Sequence, residues 1–291
     1  YRREARRVLP YRVLDALAKP YPQLSAFAPA AWLAKNGYFV RSLTAALAEG
    51  RPDLVISFLP PANTVSLVAG SLAGVPVIPT NHNVPERDFV DPARWDQNPI
   101  DKKLRLAMLR RAARVHVLFP TFADWFPPDI RSRVIAIPNY VSAELDDVVL
   151  PAERPPVVMA AGRLAEVKNY LTLVDAWAHL ANDFPQWRVE IYGDGPERGR
   201  LDRRIREHGL ADVVALMGHE KNMKRSYLNA SVFAHPALYE GFGLSVAEAL
   251  HCGLPVVAFA DCPGVNEFVF DGDNGVMADR AGGVEAYAAG L

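Results

Sequence analysis

Apolar positions along the first half of the chain fall into short runs separated by stretches of helical period. Asp53–Phe58 (DLVISF), Val75–Thr80, Arg114–Phe119 and Val134–Ile137 each read as a buried strand, rich in β-branched residues and bounded by turn formers. Between them, Ser42–Glu49 ends at Gly50 and Asn63–Ala73 ends at Gly74, both with helical spacing and a glycine cap. Thr121–Phe126 adds a short helix. Pro20, Pro22 and Pro29 mark irregular chain ahead of this series. Val84–Pro99, carrying Glu86, Arg87, Asp88 and Trp95, reads as a long loop of the kind that shapes a binding site.

The alternation resumes further on. Val157–Ala161, Arg188–Tyr192, Val213–Met217, Val232–Ala234 and Val256–Ala260 read as strands. Tyr170–Ala181 (Asn169 as N-cap), Glu197–His208 (capped by Gly209) and Leu244–Cys252 (capped by Gly253) read as helices. Cys262–Glu267 adds a short helix and Asp271–Gly275 a hairpin-like turn. Strand, helix, strand in this order predicts an α/β protein built on doubly wound parallel sheets. Ser142–Pro156 is acidic at Asp146 and Asp147, then proline-rich, and reads as a linker between domains over 1–150 and 151–291.

Leu238–Cys252, LYEGFGLSVAEALHC, organises the rest. A strand ends just before it, a glycine turn follows, and a helix begins at Leu244. Free N–H groups and the helix dipole then face the turn and form an anion site. Gly241 and Gly243 allow close approach of backbone, with Phe242 and Leu244 beside them. A carboxylate at Glu240 would repel a phosphate, so its partner is a hydroxyl. Glu248, a turn into the helix, reaches another part of the same ligand. The pattern fits a nucleotide-sugar with its diphosphate on the helix end. Taken singly, either acid reads as an ordinary surface carboxylate.

Composition adds limits. Half of the 291 residues are apolar, enough for two small cores. A net charge of −1 gives no drive toward nucleic acid. Cys252 and Cys262 fit no metal or redox spacing and suit a reducing cytoplasm. No apolar run approaches the ~20 residues that span a bilayer. Tyr1–Leu17, with Arg2, Arg3, Arg6, Arg7 and Arg12, and Asp101–Ala113 read as basic amphipathic helices. Solvated faces are the plain reading; contact with an anionic membrane surface on its inner face is the other.

Glu240-Gly241-Phe242-Gly243, the seven residues between the two acids, and Glu248-Ala249-Leu250-His251-Cys252-Gly253-Leu254-Pro255-Val256-Val257 resemble the signature of retaining glycosyltransferases of family 4. The resemblance covers Val157–Ala278 and, more weakly, extends back to Arg51. It implies the GT-B fold, two Rossmann-like domains facing across a cleft, the first binding the acceptor and the second the donor. It implies a UDP- or GDP-sugar as donor, a glycan or lipid-linked acceptor, and no obligatory metal. Asp271-Gly272-Asp273 spells the metal-binding triplet but stands in a turn. Glu240 would contact the donor sugar and Glu248 the ribose. Gly162, Arg163 and Lys168, after the first strand of the second domain, would hold the diphosphate. His82 matches a cleft histidine of the family, though a lone loop histidine reads equally as a surface residue. His219–Lys221 stands where the base is read through backbone groups. Gly193-Asp194-Gly195 alone is weak support for phosphate binding.

The resemblance also implies an opening strand with a glycine-rich loop and a closing helix. Neither is legible here, so both ends read as cut. Two rivals stay open. One is a GT-B subunit that binds a nucleotide-sugar without chemistry. The other, a glycoside hydrolase using Glu240 and Glu248, suffers from Glu248 lying inside the helix and leaves Arg163 and Lys168 idle.

Overall fold

The computed structural model of the protein describes residues 28–89, 99–142, 145 and 147–291. The chain divides into two compact units between Pro138 and Asn139. The basic segment Tyr1–Leu17, Trp95 of the long loop and Asp146 lie outside the described residues.

In the first unit the elements run α1 (Ala28–Gly50), β1 (Val55–Phe58), α2 (Pro60–Ala73), β2 (Val77–Thr80), α3 (Pro85–Phe89), α4 (Pro99–Leu109), β3 (Val115–Val117), α5 (Pro128–Arg131) and β4 (Val134–Ala136). Pro120–Trp125 forms a 3₁₀ turn. Among the described residues the four strands are parallel, in the order β1-β2-β3-β4. Val77, Val115 and Val117 are buried in the sheet, and α2 buries Leu67 and Ala69. Gly74, at φ 72°, ends α2 by donating its N–H to Gly70 O.

Three expectations change here. Pro29 is the second residue of α1 rather than part of an irregular stretch. A proline is tolerated there because the first-turn N–H has no partner to lose. The long loop begins with α3. The basic face of α4 is not wholly solvated: Arg105 is 1% exposed, its guanidinium lies 5.2 Å over the Phe89 ring, and it donates to Asp88 O at the end of α3. A cation is favoured beside those terminal carbonyls. Arg110 pairs with Asp129, and Arg111 donates to Ser71.

The second unit runs β5 (Val157–Ala161), α6 (Tyr170–Leu180), β6 (Arg188–Tyr192), α7 (Arg198–Glu207), β7 (Val214–Gly218), α8 (Met223–Leu228), β8 (Val232–His235), α9 (Leu244–His251), β9 (Val256–Phe259), β10 (Gly275–Ala278) and α10 (Gly283–Gly290). Its six strands are parallel, in the order β10-β9-β8-β5-β6-β7. All five residues of β5 are buried, as a central parallel strand covered on both faces requires. The chain winds outward from β5 through β6 to β7, then returns to start β8 on the other side of β5. The crevice at the carboxyl ends of β5 and β8 is therefore the switch point where ligands bind in such sheets.

Ser142–Pro156 does not behave as a free linker over its described part. Leu145 is 4% exposed in the core of the second unit, and Arg154 donates to Tyr227 O, Ala230 O and Cys252 O at 3.1, 2.8 and 2.5 Å. The division at Pro138 precedes this segment because its apolar and cationic side chains find partners in the second unit. Cys262–Glu267 forms turns rather than a helix, with Gly264 at φ 85° interrupting helical geometry.

Candidate active site

Two loops meet at the switch point. The first leaves β5 as Gly162-Arg163-Leu164 and passes through a 3₁₀ turn at Glu166–Lys168. The second leaves β8 at Pro236 and reaches α9 through Glu240-Gly241-Phe242-Gly243. Leu238 N donates to Val167 O at 2.9 Å, and Asn169 Nδ2 donates to Pro236 O at 3.2 Å. Asn169 therefore ties the loops together at φ 52°, and its side chain makes no cap bond to α6. The loops are held so that Lys168 Nζ donates to Glu240 Oε1.

Each loop has a backing. Behind the first stand Gly193 and Gly195. A Cβ on Gly193 would fall 2.0 Å from Gly162 O, and one on Gly195 would fall 2.3 Å from Leu164 O. Gly162 N donates to Tyr192 O and Leu164 N to Asp194 O, so this Gly-x-Gly supports the neighbouring loop. Behind the second stands Gly264, where a Cβ would meet Glu240 O at 2.5 Å, and Glu240 N donates to Pro263 O. Arg280 bonds Asp261 through Nε and reaches Ala237 O and Leu238 O at 3.4 and 3.3 Å.

Glu240 is 15% exposed and Lys168 18%. His235, 1% exposed, brings Nε2 within 3.2 Å of Glu240 Oε1, though without hydrogen-bond alignment. Burial works against charge on Glu240, but His235 and Lys168 outweigh it and hold the carboxyl down at about 2. Burial also lowers the pKa of His235, against the opposing pull of Glu240, and favours the neutral ring. The Tyr170 hydroxyl is buried beside this pair, its pKa raised by burial and by Glu240, with no hydrogen-bond partner among the described residues.

Gly243, at φ 82°, precedes α9, and the first bonds it accepts come from Val246 and Ala247. The N–H groups of Leu244 and Ser245 thus face the turn at the positive end of the helix. Phe242 stacks on Phe268, ring centroids 5.5 Å apart. Glu248 is half-buried and accepts a 2.7 Å hydrogen bond from Tyr227, itself 1% exposed. Arg163 is exposed directly after Gly162. His219, Glu220 and Lys221 follow β7, and all three are exposed.

Gly162, Lys168, Glu240 and Gly241–Leu244 therefore converge, with Arg163 and Glu248 on the same two elements. His82 belongs to the first unit, past the carboxyl end of β2. Its ring stacks on Phe58 and lies 5.4 Å from His116 between centroids.

The family described as Glycosyl transferases group 1 matches residues 142–291, just over half of the chain. The chain belongs to this family. Glycosyltransferase Family 4 matches residues 7–145 of the same group 1 chain. A peptide N-acetylglucosaminyltransferase subunit of Streptococcus gordonii, named for UDP-N-acetylglucosamine, is 33% identical over 151 residues, covering 51% of this chain and 29% of that one. A poly(glycerol-phosphate) alpha-glucosyltransferase of Bacillus subtilis is 31% identical over 145 residues, covering 49% and 21%. The chain spans less than half the length of these curated relatives. Among solved structures, Anabaena HepE in complex with UDP superposes with a TM-score of 0.74 at 22% identity, covering 88% of this chain and 72% of that one. The two units of this group 1 glycosyltransferase chain thus have the α/β architecture of the GT-B fold.

Sequence reasoning missed four residues of the site's surroundings: His235, Tyr170, Asn169 as a tie, and Arg280. His235-Pro236 is legible only as the end of a strand, and Tyr170 only as the first residue of a helix. Nothing in their local pattern tells that both side chains turn toward Glu240.

Proposed function

We propose that this chain carries the machinery of a retaining glycosyltransferase, moving a sugar from a nucleoside diphosphate-sugar to an acceptor hydroxyl. The anomeric C–O bond breaks, the diphosphate departs with the proton of the acceptor hydroxyl, and the acceptor oxygen bonds on the same face. Charge on the departing diphosphate is stabilised by Lys168, Arg163 and the N–H groups opening α9. Glu240 orients a sugar hydroxyl and Glu248 holds the ribose. His82 is assigned as a catalytic residue contributed by the first unit, which takes a glycan or lipid-linked acceptor. UDP is favoured over GDP because the similar proteins named for a donor carry UDP. The products would be polysaccharide, glycolipid or cell-envelope glycan. A cytoplasmic enzyme is favoured by two cysteines that are free and buried. Peripheral contact with the membrane's inner face rests on the arginines of Tyr1–Leu17.

The observation that carries this reading is the meeting of Lys168, Glu240 and the start of α9 at the switch point. The test is a panel of UDP- and GDP-sugars scored by thermal shift, followed by transfer assays with the donor that stabilises most. Lys168→Ala should lower kcat by roughly 10²–10³ with that donor. Turnover within twofold of the parent would remove Lys168 from the machinery.

A further inference from the structure

Lys168 and Glu240 are partners, and the proposed function asks each of them to hold a different part of the donor. A single ammonium cannot fully serve both a carboxylate and a diphosphate. The carboxylate stays ionised and lies mostly out of solvent, so losing its cation is strongly unfavourable unless other groups take over. The site contains such groups. His235 Nε2 is 3.2 Å from the same oxygen that Lys168 holds, and the ring is 1% exposed. The Tyr170 hydroxyl lies 2.8 Å from where a Cβ on Gly162 would stand, and Lys168 Nζ lies 3.4 Å from that same point. Neither His235 Nε2 nor the Tyr170 hydroxyl has a hydrogen-bond partner among the described residues. Both are neutral donors, so both can steady a carboxylate without drawing the diphosphate toward themselves.

We propose that donor binding exchanges partners: Lys168 passes from Glu240 to the diphosphate, and His235, aided by Tyr170, becomes the group that positions Glu240. The inference rests on the reading of Lys168 as a diphosphate ligand. No covalent step is involved; one ion pair opens and another forms. Glu240 is then a competitor for Lys168 as well as a sugar ligand. His235 is a positioning residue, because it acts on the donor only through Glu240.

The consequence runs against the usual expectation for a site residue. Glu240→Gln removes the competing charge at nearly constant shape, so a nucleoside diphosphate lacking its sugar should bind more tightly while transfer falls. Isothermal titration of UDP and of GDP into the full chain tests this. Glu240→Gln should tighten binding of the preferred nucleotide roughly tenfold. His235→Phe should weaken it several-fold, and this weakening should vanish in the Glu240→Gln background, where no carboxylate needs holding. A general packing defect at His235 would persist in the double variant. Should His235→Phe fail to fold, His235→Asn serves the same cycle, and the Glu240→Gln arm decides without either. Wild-type binding with no gain in Glu240→Gln overturns the exchange alone. Failure of the wild type to bind either nucleotide overturns the donor reading, and the exchange with it.

Discussion

Gly193 lies behind the Gly162 loop, and the position of Gly162 depends on it. At φ 127°, and with Gly162 O where its Cβ would be, it admits no side chain. Gly193→Ala should therefore lower stability by ~1–3 kcal/mol, read by urea unfolding, and should weaken nucleotide binding further by displacing the Gly162 loop. The residue scale also governs pH response. Glu240 titrates at about 2 against an ordinary 4.5, so its contribution is complete above 4.5 and is lost as pH falls through 2. His235 is held below its ordinary 6.5, so the unfolded chain takes up a proton that the folded chain refuses. That loss begins near pH 6.5 and has the same sign. Unfolding free energy should fall between pH 6.5 and 5 in the wild type, and His235→Phe should flatten that interval. A parallel slope in the variant would discount His235. The turn that carries Glu240 and the helix that carries Glu248 were legible, because glycines at a helix start show in the local pattern. His235 and Tyr170 were not, because their role comes from long-range packing.

At the scale of elements, α9 is served at both ends. Its start offers N–H groups to an anion, while its end offers the carbonyl of Cys252 to Arg154. The same guanidinium also takes Tyr227 O and Ala230 O, and so joins the ends of α8 and α9. Charge-assisted bonds of this kind are each worth roughly 1.5–3 kcal/mol, and they share one donor group here. Arg154→Met should cost ~2–3 kcal/mol by urea unfolding, with kcat affected less than stability. Helix ends marked by glycine were legible at Gly74, Gly209 and Gly253, which adopt the left-handed conformation, but not at Gly50, which stays in α1 while Arg51 takes φ 42°. Proline was the weaker guide. Pro29 and Pro60 open helices in their first turn, where the missing N–H costs nothing. Asn169 was read as a cap because its type favours one, but Pro236 O claims its amide instead.

For the whole molecule, alternation of strand and helix foretold two parallel sheets but not the order of their strands. That order decides the site. Lys168 and Glu240 are 72 residues apart and meet only because β5 and β8 are neighbours. The boundary between the units was also misjudged, since prolines and acids between Ser142 and Pro156 resemble a tether. Leu145 and Arg154 instead commit this stretch to the second unit. This has a practical corollary for anyone dissecting the protein. A polypeptide begun at Asn139 keeps Leu145 in the core of the second unit, whereas one begun at Pro151 forfeits that anchor and retains Arg154 alone. The longer piece should melt several degrees higher by calorimetry. Equal melting would mean that the Leu145 anchor is ornament rather than girdle.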